Sequence, residues 1–119
     1  MYSERLLDHF RNPRHAGVLS APAKVVQVEN PACGDILKLS ARIEDGRIVE
    51  AAFLTRGCTA SIAAGSALAV WLTEKSRDDL RRFHAGIIEN ELDGLRPESK
   101  HVAALAAAGV NELLKVWPE

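Results

Sequence analysis

Two alternating runs joined by a two-residue turn constrain this chain more than any other stretch. Leu37, Leu39, Ala41 and Ile43 alternate with Lys38, Ser40 and Arg42. After Asp45-Gly46 a less sharp alternation sets Val49, Ala51, Phe53 and Thr55 against Glu50, Ala52 and Leu54. Successive strand side chains point to opposite faces, so each run reads as a strand with one buried side. Asp-Gly supplies the positive-φ position that a tight hairpin needs. Val26 and Val28, alternating with Gln27, add a third strand upstream. The three make an antiparallel meander, and its apolar face needs a cover.

The cover comes from helices. From residue 59 the period changes: Ile62, Leu68, Val70, Trp71 and Leu72 sit among small residues as far as Lys75. Ser76-Arg77-Asp78-Asp79 resembles a capping box for a helix through Phe83. Residues 87–92 add a short helical turn, Pro97 breaks the chain, and a last helix runs from about His101 to Val116. A short opening helix over residues 3–11 carries Leu6, Leu7 and Phe10 on one side, and Asn12-Pro13 and Gly17 end it in a turn. Strands first and helices after predict an α+β fold: an antiparallel three-stranded sheet with helices packed on one face. Only 5% of residues are aromatic. The core is therefore expected from Leu, Ile and Val, with close helix contacts over Ala and Gly.

At 119 residues, two separate cores would each be marginal, so residues 1–119 are read as a single domain. A net charge of -1 argues against a chain whose main task is gripping nucleic acid or anionic lipid. The opening residues lack the basic-then-apolar layout of a signal peptide. The most apolar stretch, residues 60–72, is too short to span a bilayer. A cytoplasmic location is the resulting expectation. Cys33 and Cys58 are the only two cysteines. They are too few for a disulfide framework, which leaves one bridge, metal ligands or nucleophiles.

Three segments stand apart from the core pattern. Asn30-Pro31-Ala32-Cys33-Gly34-Asp35 is a rigid turn in which Cys33 and Asp35, two apart in extended chain, address one side. Arg56-Gly57-Cys58-Thr59-Ala60-Ser61 is the passage from strand to helix, where backbone N–H groups and the helix dipole favour a thiolate. Ser99-Lys100-His101 opens the last helix with an imidazole that can ligate metal or carry a proton. Each has a plainer reading. A lone cysteine is commonly a small buried hydrophobe, His101 a cap or surface residue, and Asp35 the close of an Asx-turn. His9, His15 and His84 carry no partner pattern and read as surface residues. Arg77, Arg81 and Arg82 read as a solvated helix face. Together Cys33, Asp35, Cys58 and His101 form a donor set that suits tetrahedral zinc or, through its thiolates, iron–sulfur chemistry.

These segments carry a family resemblance. Tyr2-Ser3-Glu4-Arg5-Leu6-Leu7-Asp8-His9-Phe10-Arg11-Asn12-Pro13-Arg14 is similar to the opening of the IscU/NifU-type iron–sulfur cluster assembly scaffolds. Pro31-Ala32-Cys33-Gly34-Asp35 resembles their first cysteine motif. Asp45-Gly46-Arg47-Ile48-Val49-Glu50-Ala51-Ala52-Phe53 with Gly57-Cys58 and the small-residue helix resembles the second. The likeness runs in register over nearly the whole chain. It implies a SufE/NifU-like fold and a site at one end of the sheet. There, sulfur from a cysteine desulfurase meets iron on three cysteines, aided by an aspartate and a histidine. The [2Fe–2S] product then passes to acceptor apoproteins. Partners implied are the desulfurase, an iron or electron donor and the acceptors, with no nucleic acid or membrane. Cys33, Asp35 and Cys58 carry over by position.

Two departures follow. The family has a cysteine after the histidine that opens the last helix, and this chain has Val102, which offers no lone pair and cannot carry a persulfide. Leu95-Arg96-Pro97-Glu98-Ser99-Lys100 replaces the Leu-Pro-Pro-Val-Lys segment that some members present to an Hsp70-type chaperone, which puts that partner in doubt. The leading reading is a non-enzymatic scaffold or close derivative that binds iron, [2Fe–2S] or zinc through Cys33, Asp35, Cys58 and His101. The alternative is a degenerate zinc-binding or sulfur-acceptor regulator of a desulfurase that builds no clusters. A third reading makes Cys58 a nucleophile with His101 and Asp35 as base and orienter.

Overall fold

The computed structural model describes residues 2–32 and 34–118. Its sheet contains β1 (Lys24–Glu29), β2 (Ile36–Glu44) and β3 (Arg47–Arg56), antiparallel and in that order. Asp45 and Gly46 form the β2–β3 turn with φ of 52° and 77°. Both central residues are thus left-handed, the conformation whose twist matches the flanking strands. Leu37, Leu39 and Ala41 are buried, as their alternation predicts, and Ile43 is half-buried.

The β3 alternation needs one correction. Val49 is exposed and Ile48 fully buried, the reverse of the period-two reading. Arg42 pairs with Glu50 but Ile43 pairs with Ile48, so Val49 is an extra residue in a bulge. One inserted residue reverses the phase on its N-terminal side, while Ala51 and Phe53 stay inward. The free edge of β3 is also closed. Gly17 N–H donates to Phe53 O and Phe53 N–H to His15 O, while Ile48 exchanges bonds with Glu74 and Lys75.

α2 (Thr59–Leu72) lies along β3, and α5 (His101–Val116) along β1 and β2. Small residues set how near they come. A Cβ added at Gly65 would lie 2.4 Å from Phe53 Cδ2, and one at Gly109 would lie 2.8 Å from Leu39 Cδ1. The close contacts expected of this composition are therefore made at those two glycines. α1 (Glu4–Arg11) packs on α2, with Ser3 Oγ accepting from Leu6 N–H and donating to Leu92 O. Of its three apolar residues only Leu6 is fully buried. Leu7 is half-buried and Phe10 exposed, so only the first turns of α1 reach the core.

The remaining helices are short. The Ser76–Asp79 capping box opens α3 (Arg77–Arg81), which ends before Phe83. α4 (Ala85–Glu91) begins two residues earlier than its periodicity suggests. α2 stops at Leu72 rather than Lys75, because the chain reverses at Glu74 with φ of 73°. A single 3-10 turn (Pro97–Ser99) leads into α5. None of the described helices is long and apolar enough to cross a membrane.

Candidate metal centre

The meander places the start of β2 beside the end of β3, since Ile36 pairs with Arg56. α2 starts where β3 ends, and the first residue of α5 reaches the same end of the sheet. Asp35, Cys58 and His101 each sit at one of these junctions. Their ligand atoms all lie within 4.8 Å of one another.

Asp35 is set by the turn before it. Asn30 Oδ1 accepts from Ala32 N–H, Asn30 O from Gly34 N–H, and Asn30 N–H donates to Asp35 O. Gly34 has φ of 78°, a conformation open to glycine. The Asx-turn is therefore present, but Asn30 makes it. The Asp35 carboxylate is buried, and its Oδ2 accepts from the Ser61 hydroxyl at 2.5 Å and from His101 Nε2–H at 3.2 Å. A Cβ at Gly57 would stand 2.7 Å from Asp35 Oδ1. Glycine there makes room for the carboxylate.

Cys58 is the N-cap residue of α2, exposed, with no side-chain bond to the helix backbone. Its thiol lies 3.4 Å from Ser61 Oγ. The Ser61 proton is given to Asp35, so the thiol donates to the Ser61 oxygen. The hydrogen bonds thus run continuously from Cys58 through Ser61 to Asp35, which His101 meets from α5. Two helix N-termini face this point, and their partial positive charge favours anionic groups. Thiol, carboxylate and imidazole are donors that zinc and iron both accept, so the residues present fit such an ion.

Cys33 lies outside the described residues. Val102 is buried in the hydrophobic core. Among the described residues Cys58 makes no hydrogen bond to His101. The imidazole engages Asp35 instead, which is not the thiol–base contact that the nucleophile reading requires.

His15 and His84 are exposed, as expected of surface residues. His9 is not a plain surface residue. It is half-buried, with Nδ1 2.8 Å from Ser66 Oγ, and burial together with the nearby Arg14 holds its pKa below the usual 6.5. Arg81 and Arg82 are exposed, but Arg77 is half-buried. Sequence reasoning placed Gly57 and Ser61 in the strand-to-helix segment with Cys58 but gave neither a role in the site. The signal for Ser61 was its spacing, because a residue three after the N-cap lies within reach of the N-cap side chain.

A family model described as NifU-like N terminal domain matches residues 1–119. The iron-sulfur cluster assembly scaffold protein IscU 1 of Archaeoglobus fulgidus is 34% identical over 107 residues, covering 90% of this chain and 70% of its own. The Escherichia coli (strain K12) scaffold protein IscU is 38% identical over 109 residues, covering 88% and 84%. The fold is similar to that of a putative iron-sulfur cluster assembly scaffold protein for the SUF system from Fervidobacterium islandicum AW-1. That structure has a TM-score of 0.77 and 21% identity over 95% of this chain and 96% of its own. A NifU-like protein (N-terminal) from Brucella abortus aligns at a TM-score of 0.63 and 23% identity, covering 94% and 84%. With its full length matched by that model and its sheet and helices arranged like theirs, the chain belongs to the NifU-like N terminal domain family.

Proposed function

We propose that this protein is an iron–sulfur cluster assembly scaffold whose cargo is held by Cys58, Asp35 and His101, with Cys33 as the remaining thiolate. The convergence of thiol, carboxylate and imidazole within 4.8 Å carries the reading. The relatives named as scaffold proteins support it. In this role a cysteine desulfurase supplies sulfur, an iron and electron donor supplies the metal and reducing equivalents, and acceptor apoproteins take the product.

Val102 sets this chain's version of the site apart. With no third thiolate at that position, His101 completes the ligand set, as histidines do in Rieske-type centres. A [2Fe–2S] cluster held this way is more labile than one on three thiolates. The buried Val102 side chain also favours a second reading, in which the same four residues hold zinc and the protein regulates a desulfurase or accepts its sulfur.

Anaerobic reconstitution with iron and sulfide separates the two. The scaffold reading predicts visible sulfide-to-iron charge-transfer absorption from the monodisperse protein, and a longer cluster lifetime in Val102→Cys. No absorption from the folded wild-type protein, with zinc retained after chelator-free purification or a persulfide on Cys33 or Cys58 after incubation with a desulfurase, supports the second.

A further inference from the structure

Ser61 links two of the metal centre's donors, Cys58 and Asp35, without being an expected ligand. It is buried at the third position of α2, its hydroxyl donates to Asp35 Oδ2 at 2.5 Å, and its oxygen lies 3.4 Å from Cys58 Sγ. Asp35 is buried too, so the orientation of its carboxylate depends on few contacts. Gly57 leaves space on the Oδ1 side, where an added Cβ would stand at 2.7 Å, and His101 Nε2 meets Oδ2.

The His101 imidazole can ligate through Nδ1 or Nε2, and an ion bound at Nε2 takes that nitrogen's lone pair. The proton on that nitrogen, and with it the Asp35–His101 hydrogen bond, must then be given up. The Ser61 hydroxyl faces no such demand. Whichever ring nitrogen ligates, the hydroxyl keeps its bond to Oδ2 with or without metal, leaving Oδ1 for coordination. Partners of this kind orient a ligating carboxylate, and their removal costs about 10–100-fold in metal affinity.

We propose that Ser61 is a positioning residue of this centre, fixing the Asp35 carboxylate so that one oxygen faces the ion. This rests on the metal-centre reading above. The role is separable from folding, because alanine is a better helix former than serine and leaves the N-cap residue of α2 untouched.

The test uses the full chain, wild type and Ser61→Ala, titrated with Co²⁺ and followed by absorption and thermal melting. The expected result is Co²⁺ affinity at least about tenfold lower in Ser61→Ala. The d–d bands move as carboxylate coordination changes, while the thiolate-to-cobalt band and cooperative melting persist. Equal affinity and unchanged d–d bands would overturn the role of Ser61 while leaving the metal centre intact. Weaker binding with lost cooperative melting would also overturn it, as a structural effect. Failure of the wild-type chain to bind Co²⁺ would overturn this role and the metal-centre reading together.

Discussion

Gly57 and Val102 show how much one side chain decides here. Gly57 has no strained backbone angle. Its value is space, because a methyl group there meets both the Asp35 carboxylate and Ser61 Oγ at less than 3 Å. Gly57→Ala is expected to turn Asp35 away and to weaken Zn²⁺ binding by about tenfold or more, read by competition with a chromogenic chelator. Unchanged Zn²⁺ affinity would mean that the carboxylate is not a ligand. Cys58 and Asp35 stood out in the sequence as polar donors at loop ends beside glycine, and His101 as an imidazole at a helix start, and the fold brings the three together. Gly57 and Ser61 did not stand out, because a space and a hydroxyl acquire meaning only once Asp35 is known to lie against them. His9 was missed for a similar reason: its partner Ser66 is 57 residues away in the chain. Burial and Arg14 lower the His9 pKa below 6.5, so the folded state prefers the neutral ring. Stability from this source is fully present above pH 6.5 and declines as pH falls below it, when the unfolded chain takes up the proton first. His9→Gln is expected to flatten the fall in melting temperature between pH 7 and pH 5, and an unchanged slope would refute the assignment.

Helices and strands followed the hydrophobic periodicity where long runs specified them. α5 matches its expected limits, and the Asp45-Gly46 hairpin forms with both residues left-handed. The departures are local and have local causes. A bulge at Val49 reversed the inward phase of the first residues of β3, and the left-handed Glu74 closed the turn after α2. Neither is written in side-chain polarity. Packing between elements adds its own constraint at Gly65, in the middle of α2. Gly65→Ala improves helix propensity yet drives a methyl group to 2.4 Å from the Phe53 ring. Overpacking of this kind costs about 1–3 kcal/mol, so urea unfolding should show a lower midpoint than wild type. A higher midpoint would mean that α2 can move off the sheet freely. The capping box of α3 gives a pH signature. Hydrogen bonds from Ser76 hold the Asp79 carboxyl below its usual 3.8. Its contribution is present above that value and fades as pH falls through and below it. The melting-temperature gap between wild type and Asp79→Ala should therefore be constant near neutral pH and narrow in acid.

The described residues are arranged so that three junctions between elements meet at one end of a regular frame. An antiparallel β2–β3 pair must bring the start of one strand beside the end of the other, and α2 begins where β3 stops. α5, lying along β1 and β2, then contributes its first residue to the same place. The α+β class and the resemblance to cluster-assembly scaffolds were legible because they rest on long patterns spread over the sequence. The hydrogen-bond chain through Ser61 was not, since it joins residues from three separate elements. Whether Cys58, Asp35 and His101 act as one ligand set is decided by calorimetric titration with Zn²⁺. One tight site per chain is expected in the wild type, with affinity lowered in each of Cys58→Ala, Asp35→Ala and His101→Ala while all three variants stay folded. Wild-type affinity in folded variants, or a wild-type chain that binds no zinc, would contradict a single ligand set.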